Sequence, residues 1–158
     1  MPGFSCCLGS RHFVTIMQMN TLTACSAAYI AGLVDADGTI TVTRKHVNEN
    51  RHPALTISNT DRHLLEFVLK TVGAGKITTK RTIAENHTPS FAFAIYNRQA
   101  LALIHQLRPF LRTYKAKRSD LILHDYLKLT PRNGKYNDAS LRARKAFEER
   151  VLAIKPSK

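Results

Sequence analysis

The spacing of hydrophobic residues changes early in the chain, and each change predicts a new element. A helical period holds up to Gly38, with Ser26 as the expected N-cap and Gly38 as the expected stop. Beyond Gly38 the period is two, because Ile40 and Val42 alternate with hydroxyl and basic side chains. This alternation predicts a strand with one buried face and one polar, cationic face. A second strand at about 53–59 follows a short turn and completes a hairpin.

Strands and helices continue to alternate along the rest of the chain. After a helix at about 62–72, the patterns predict strands at 76–82 and 90–96 and helices at 98–107 and 139–154, with a further amphipathic helix between those two. One helix, two strands, another helix, two strands and then helices give the order αββαββα. The fold class is therefore α+β, with a four-stranded antiparallel sheet.

The length of 158 residues is enough for one domain, and 44% hydrophobic residues can supply its core. We place this domain at 26–155. Residues 1–25 contain no acidic residue and show no period, so we expect a loosely ordered extension. Translation could start at Met1, Met17 or Met19, and the sequence leaves these alternatives open.

The charge of the chain is strongly positive and points to a polyanionic partner. It has 24 Lys and Arg residues against 11 Asp and Glu residues, a formal net charge of +13. Nucleic acid is favoured over a membrane surface, because the basic residues are spread along the chain and no lipidation motif is present. Three cysteines without disulfide or zinc spacing favour a reducing compartment. We expect a soluble, intracellular protein of a bacterial cytoplasm or an organelle.

The first helix carries two features that need an explanation. Ala28, Gly32 and Ala36 recur every four positions and form a stripe of small side chains, which lets another helix come close. Asp35 and Asp37 lie at the negative end of the helix dipole, where they cost stability unless a cation lies nearby. A bound divalent cation is one explanation, and an ordinary amphipathic helix that ends in a turn is the other.

Nine consecutive residues of this helix, IAGLVDADG at 30–38, resemble the signature of the LAGLIDADG homing endonucleases. Ile replaces Leu at the first position and Val replaces Ile at the fifth, and both changes keep apolar character. The resemblance implies a saddle-shaped β-sheet over double-stranded DNA and a motif helix that pairs at a two-fold axis. The interface residues that it implies are Ala28, Gly32, Asp35 and Ala36. Because the motif occurs once, the chain is expected to act as a homodimer on a roughly palindromic target.

The resemblance also implies the residues of a phosphodiester hydrolase. Asp37 is directed at the scissile phosphates and, with Ala36, contributes to binding Mg²⁺ or Mn²⁺. A cation comes from Lys115 or, as the alternative, from Lys117, although a solvated basic run before a helix explains both equally well. Asp61 occupies the position of a polar residue near the catalytic waters, or it simply caps the next helix. No small-molecule cofactor is implied.

The polar faces of the four strands are the expected DNA-reading surface, since a β-ribbon fits the major groove. Threonine is also common on the solvent side of any sheet, which is the alternative explanation. The candidate residues are Thr39, Thr41, Thr43, Lys45, Thr56, Ser58, Thr78, Lys80 and Thr82.

Two other functions are compatible with the same fold. An RNA-splicing maturase would need the basic surface but not Asp37, and a transcription regulator would bind DNA without cutting it. The presence of Asp37 and Lys115 favours the enzyme. We therefore expect a metal-dependent, site-specific DNA endonuclease that serves the mobility of an intron or intein.

Overall fold

The computed structural model describes residues 19–80 and 88–156, and its elements follow the predicted order. None of the helices within these ranges combines the length and the apolar character needed to cross a membrane. The elements are α1 (Ala24–Asp37), β1 (Gly38–Thr43), β2 (His52–Asn59), α2 (Arg62–Val72), β3 (Lys76–Thr79), β4 (Phe91–Tyr96), α3 (Asn97–Leu107), a 3₁₀ turn (Arg108–Phe110), α4 (Tyr114–Asp125) and α5 (Asp138–Ala153).

The four strands form one antiparallel sheet in the order β1-β2-β4-β3, which confirms the predicted α+β class. Gly38 pairs with Ile57, Ile57 pairs with Phe93, and Phe93 pairs with Ile77. The side chains of these strands alternate, so one face of the sheet is apolar and buried while the other is polar. Helices α1, α2 and α3 cover the buried face, and α4 and α5 pack beside β1. The polar face is left uncovered by these helices.

The glycine at the junction of α1 and β1 is required by a close approach. A Cβ atom on Gly38 would lie 2.6 Å from the Cα of Val34 and 3.1 Å from the carbonyl oxygen of Thr56. Gly38 therefore lets the helix end directly against β2, and the predicted stop is confirmed. The predicted N-cap is wrong, because Thr23 caps α1: its hydroxyl accepts a hydrogen bond from the backbone N–H of Ser26 at 3.2 Å.

Two strand boundaries also differ from the prediction. The third strand ends at Thr79 rather than at 82, although the N–H of Lys80 still donates to the carbonyl oxygen of Ser90 at 2.8 Å. Strand β1 ends at Thr43, so Lys45 lies in the exposed connection to β2 and not on the strand face. Thr82 lies outside the described residues.

Residues 19–25, which the sequence assigned to a loosely ordered extension, are held against the domain. The N–H of Asn20 donates to the carbonyl oxygen of Val72 at 2.9 Å, and the N–H of Leu22 donates to the side chain of Gln106 at 2.7 Å. The side chains of Met19 and Leu22 pack against the hydrophobic core. The ordered part therefore reaches back at least to Met19, while residues 1–18 lie outside the described ranges.

The backbone at the first residue of α3 is strained, which gives a test of the fold. Asn97 has a φ of 56°, in the left-handed region that residues other than glycine and asparagine rarely adopt. We expect Asn97→Ala to lower the free energy of unfolding by about 1 kcal/mol, whereas Asn97→Gly keeps or raises it. Thermal unfolding of the two variants measures this, and equal stability of both would contradict the assignment of strain.

Candidate functional site

The two aspartates at the end of α1 have different surroundings. Asp35 faces α4 within its own chain: its carboxylate accepts hydrogen bonds from the N–H of Arg112 at 2.7 Å and from the hydroxyl of Thr113 at 2.6 Å. Asp37 is the last residue of the helix, and its side chain is exposed. Asp35 therefore fixes the segment before α4, while the carboxylate of Asp37 faces solvent.

A buried lysine supplies the positive charge that the end of α1 needs. Lys115 is only 5% exposed, and its ammonium donates to the carbonyl oxygens of Val34 at 2.7 Å and Asp35 at 2.9 Å. The last turn of α1 has no basic residue of its own. Thr113 caps α4 by accepting from the N–H of Lys115, so the start of α4 places the lysine against α1. The favourable cation at this helix end thus comes from another element.

The ammonium of Lys115 lies in a desolvated position at the end of α1, the helix end that carries both aspartates. Burial lowers the pKa of Lys115 below its usual 10.5, while the charges of Asp35 and Asp37 favour the charged form and oppose this shift. The nearby guanidinium of Arg118 adds to the lowering. The charge of Asp37 therefore acts on the ammonium of Lys115, and the catalytic roles of both residues stay predictions.

The lowered pKa of Lys115 has a measurable consequence for stability. Between that pKa and 10.5 the unfolded chain holds more protons than the native chain, so the native state gains stability as the pH rises. We expect the free energy of unfolding of the wild type to rise relative to Lys115→Met as the pH increases towards 10.5. Denaturant unfolding at several pH values measures this. The control is Lys117→Met, which removes an exposed lysine of the same helix. We expect no such rise in the free energy of unfolding of the wild type relative to this variant.

The other two catalytic candidates lie elsewhere. Lys117 is exposed and lines an open cavity of about 720 Å³ between the start of α4 and the C-terminal residues, so Lys115 is the lysine that reaches the end of α1. Asp61 is exposed and caps α2, where its carboxylate accepts from the N–H of His63 at 2.9 Å. Asp61 therefore caps α2, as one of its two predicted roles requires, and its catalytic role stays a prediction.

The metal ligands available at this end of α1 are few. Within 19–80 and 88–156, no three His, Cys, Asp or Glu side chains come together as a group that could hold a metal ion. The carboxylate of Asp37 and the carbonyl oxygen of Ala36 are hard oxygen ligands of the kind that Mg²⁺ and Mn²⁺ accept. One chain therefore offers part of a coordination shell, which fits an ion that takes its remaining ligands from phosphate, water or a second copy.

Most predicted DNA-reading residues lie on the polar face of the sheet. Thr39 pairs with Thr56 across β1 and β2. Because side chains two residues apart in a strand lie on the same face, the other alternate residues of these strands lie on this face as well. Three alanines, Ala54, Ala92 and Ala94, occupy the centre of this face, and Ala54 and Ala94 are buried. The predicted residues that this register brings together on the face are Thr39, Thr41, Thr43, Thr56, Ser58 and Thr78, with Lys80 just beyond β3.

The sequence reasoning missed three residues on the same polar face. His52, Lys76 and Tyr96 share the face because they continue the period of two in β2, β3 and β4. Extending each alternation by one step would have found them. Asn59, the last residue of β2, was missed as well: its carboxamide accepts from the N–H of Asp61 at 2.8 Å, at the end of the sheet where β1 begins.

The stripe of small residues on α1 is exposed. Ala28, Gly32 and Ala36 all face solvent, and a Cβ atom on Gly32 would have no neighbour within 4 Å. Beside the stripe, Tyr29 is 50% exposed and contacts the ring of Phe67, which is 48% exposed, edge to face at 5.6 Å. The packing of the described residues therefore gives no reason for a glycine at position 32.

The family of the chain is shown by a match that includes α1 and the sheet. A family model described as a LAGLIDADG-like domain matches residues 24–107, more than half of the chain. The chain belongs to the LAGLIDADG family. The match begins with α1 and ends with α3, so it includes Asp37 and all four strands. Helices α4 and α5, which carry Lys115 and the C-terminal packing, lie beyond the matched residues.

Solved structures confirm the predicted LAGLIDADG homing-endonuclease fold. The homing endonuclease I-CvuI, in complex with its target, is 22% identical with a TM-score of 0.68, and the match covers 85% of this chain and 84% of that chain. The archaeal intron-encoded homing endonuclease I-Vdi141I, complexed with DNA, is 13% identical with a TM-score of 0.55, covering 84% and 85%. The meganuclease I-AabMI, bound to uncleaved DNA, is 18% identical with a TM-score of 0.60. The match covers 84% of this LAGLIDADG chain but only 46% of the I-AabMI chain. None of the curated proteins matches the chain.

Proposed function

We propose that this chain is a site-specific double-strand DNA endonuclease that depends on a divalent metal ion and acts as a homodimer. The observation that carries the proposal is the arrangement at the end of α1, where the carboxylate of Asp37 is exposed and the buried ammonium of Lys115 donates to the carbonyl oxygens of Val34 and Asp35. The carboxylate and the ammonium lie where β1 enters the polar, uncovered face of the sheet. Hydrolysis of a phosphodiester needs these two charges beside the bound backbone.

Separate residues would bind the metal ion, stabilise the charge that develops in the reaction and hold the site in position. Asp37 and the carbonyl oxygen of Ala36 would hold the ion, which when bound polarises the phosphate and lowers the pKa of water. Lys115 adds a positive charge at a fixed position, and because the side chain is buried, water screens that charge only weakly. Asp35, held by Arg112 and Thr113, fixes the segment that aims Lys115 at α1.

Binding of double-stranded DNA is supported by charge and by likeness. The net charge of +13 favours a polyanion, and the polar face of the sheet is the broad uncovered surface beside Asp37. I-CvuI, I-Vdi141I and I-AabMI, which share the fold, were all solved with DNA. A target cut in this way fits an enzyme that serves the mobility of an intron or intein.

The homodimer is supported by the exposed stripe and by the coverage of a longer relative. The match covers 46% of I-AabMI, as expected if one complete site requires two copies of this fold. A second α1 could approach closely at Ala28, Gly32 and Ala36, which face solvent in the single chain. Two copies would bring one Asp37 to each DNA strand, which predicts a pseudo-palindromic target.

Filling the stripe is expected to separate the dimer without unfolding the chain. In Gly32→Leu the new side chain enters open space in the single chain and favours the helix, but it blocks the approach of a second α1. We expect dimerisation to weaken by about tenfold or more. Light scattering at several concentrations measures this, with Ala102→Leu, on the exposed side of α3, as the matched control. An unchanged dimer would place the interface elsewhere.

The proposed activity is tested with a randomised duplex library, incubated with purified protein and Mg²⁺ or, in parallel, Ca²⁺. Sequencing of the bound and cut ends is expected to give cutting at a pseudo-palindrome with Mg²⁺ and binding without cutting with Ca²⁺. Binding without cutting under both conditions would refute the nuclease and favour a regulator on the same fold. Binding to RNA in preference to duplex DNA would favour the maturase.

A further inference from the structure

Two aromatic side chains form an exposed apolar patch beside the stripe of small residues on α1. Tyr29 is 50% exposed and Phe67, on α2, is 48% exposed, and their ring centroids are 5.6 Å apart in an edge-to-face contact. The other two exposed large hydrophobic side chains of the described ranges, Val47 and Leu127, lie on other parts of the chain, in the connection before β2 and just after α4. Paired aromatic rings that stay half exposed are typical of a surface that binds another protein.

A dimer held by the stripe alone would bury little surface. A stable interface buries about 800 Å² on each partner, and its core is enriched in aromatic residues. The side chains of Ala28, Gly32 and Ala36 allow a close approach, but they are too small to contribute much apolar area. Tyr29 lies one helical turn before Gly32, so the aromatic patch continues directly from the stripe. The aromatic pair would therefore supply the apolar area that the stripe lacks.

The orientation of two copies follows from the duplex that they would share. Strand β1 begins where α1 ends, so the polar face of the sheet and Asp37 lie at the same end of the helix. Both copies have to turn this end towards one DNA molecule, which places the two α1 helices side by side with the two-fold axis between them, roughly along their length. In this arrangement, each flank of α1 faces the opposite flank of the partner helix.

The two flanks of α1 are covered by different parts of the chain. With 3.6 residues in each turn, Tyr29 lies about 60° to one side of Gly32 and Asp35 lies about 60° to the other side. Helix α2 covers the flank of Tyr29 through Phe67. The segment 108–113 lies on the flank of Asp35, because its last two residues donate hydrogen bonds to that carboxylate. The aromatic pair of one copy therefore faces 108–113 of the other.

We propose that Tyr29 and Phe67 of each copy dock onto residues 108–113 of the second copy, on both sides of the paired α1 helices. This segment carries the exposed side chains of Pro109 and Arg112. The ring of proline offers an apolar surface, and a guanidinium is attracted to the face of an aromatic ring. The inference rests on the proposed function, because it names the surface through which the proposed homodimer would form.

Photocrosslinking tests this contact directly. The photoreactive amino acid p-benzoylphenylalanine takes the place of Phe67, and the full-length protein is irradiated at a concentration at which light scattering gives a dimer. We expect a covalent dimer whose tryptic digest joins the peptide 63–70 to the peptide 99–112, with the cross-link within 108–112. The same amino acid in place of Leu127, which is 53% exposed, is the matched control and is expected to give no covalent dimer.

Alanine variants measure the contribution of the patch to dimerisation. We expect Phe67→Ala to weaken the dimer by about tenfold, while Leu127→Ala, which truncates another exposed hydrophobic side chain, leaves it unchanged. Thermal unfolding checks that both variants are folded. A wild-type dimer with cross-links outside 108–112, or a dimer that Phe67→Ala does not weaken, would overturn the inference and leave the homodimer standing. A wild type that stays monomeric both alone and on DNA would overturn the inference together with the proposed homodimer.

Discussion

Asp37→Asn is expected to abolish DNA cleavage and to leave DNA binding intact. The carboxylate of Asp37 is the exposed acid at the end of α1, beside the buried ammonium of Lys115, and an amide binds a divalent cation far more weakly. The loss of several kcal/mol of charge stabilisation corresponds to a fall in rate of about a thousandfold or more. Cleavage of the selected target in Mg²⁺ and binding in Ca²⁺ measure the two effects separately.

A matched control for this prediction is Asp61→Asn. Asparagine caps helices as well as aspartate does, so the variant removes the same charge while the cap of α2 is kept. Retained cleavage in Asp61→Asn would confine the effect to Asp37, and lost cleavage would place Asp61 in the reaction as the resemblance implies. Cleavage by Asp37→Asn within tenfold of the wild type would remove Asp37 from the mechanism.

Much of the fold could be predicted because the determining features are local. The period of two after Gly38 reflects a sheet with one buried face, and it appears directly in the order of threonine and apolar residues. Gly38 itself is dictated by a 2.6 Å approach to the preceding helical turn, which only glycine permits. The motif helix and the strands of the sheet therefore followed from neighbours in sequence.

The parts that could not be predicted depend on contacts between distant residues. Lys115 reaches the carbonyl oxygens of Val34 and Asp35 across 81 and 80 residues, and no local pattern shows that a cation of α4 will cap α1. Asn20 is likewise bound to the end of α2, which is why an unpatterned segment proved to be ordered. Thr23 and Ser26 are both good caps, and only the packing of α1 decides between them.

The C-terminal helix α5 lies beyond the residues that the family model matches, and a buried ion pair ties it to the sheet. Arg144 is 1% exposed and donates to the carbonyl oxygen of Arg51 at 2.6 Å and to the hydroxyl of Thr130 at 2.8 Å. Glu148, one turn later, accepts from the N–H of Arg51 at 2.8 Å. The pair thus binds both backbone groups of the residue that precedes β2, and the guanidinium also lies 4.3 Å from the centroid of the Tyr126 ring.

Arg144→Met is therefore expected to lower the free energy of unfolding by about 3 kcal/mol, because it removes one of the two cations beside the buried Glu148 and leaves the carbonyl oxygen of Arg51 without this donor. Replacing both residues by apolar ones relieves that charge but leaves the N–H and carbonyl of Arg51 without these partners, so Arg144→Met with Glu148→Leu should recover only part of the loss. Denaturant unfolding measures the series, with Arg142→Met, an exposed position on the same helix, as the control. A loss below about 1 kcal/mol in Arg144→Met would show that α5 is not bound to the hairpin through this pair.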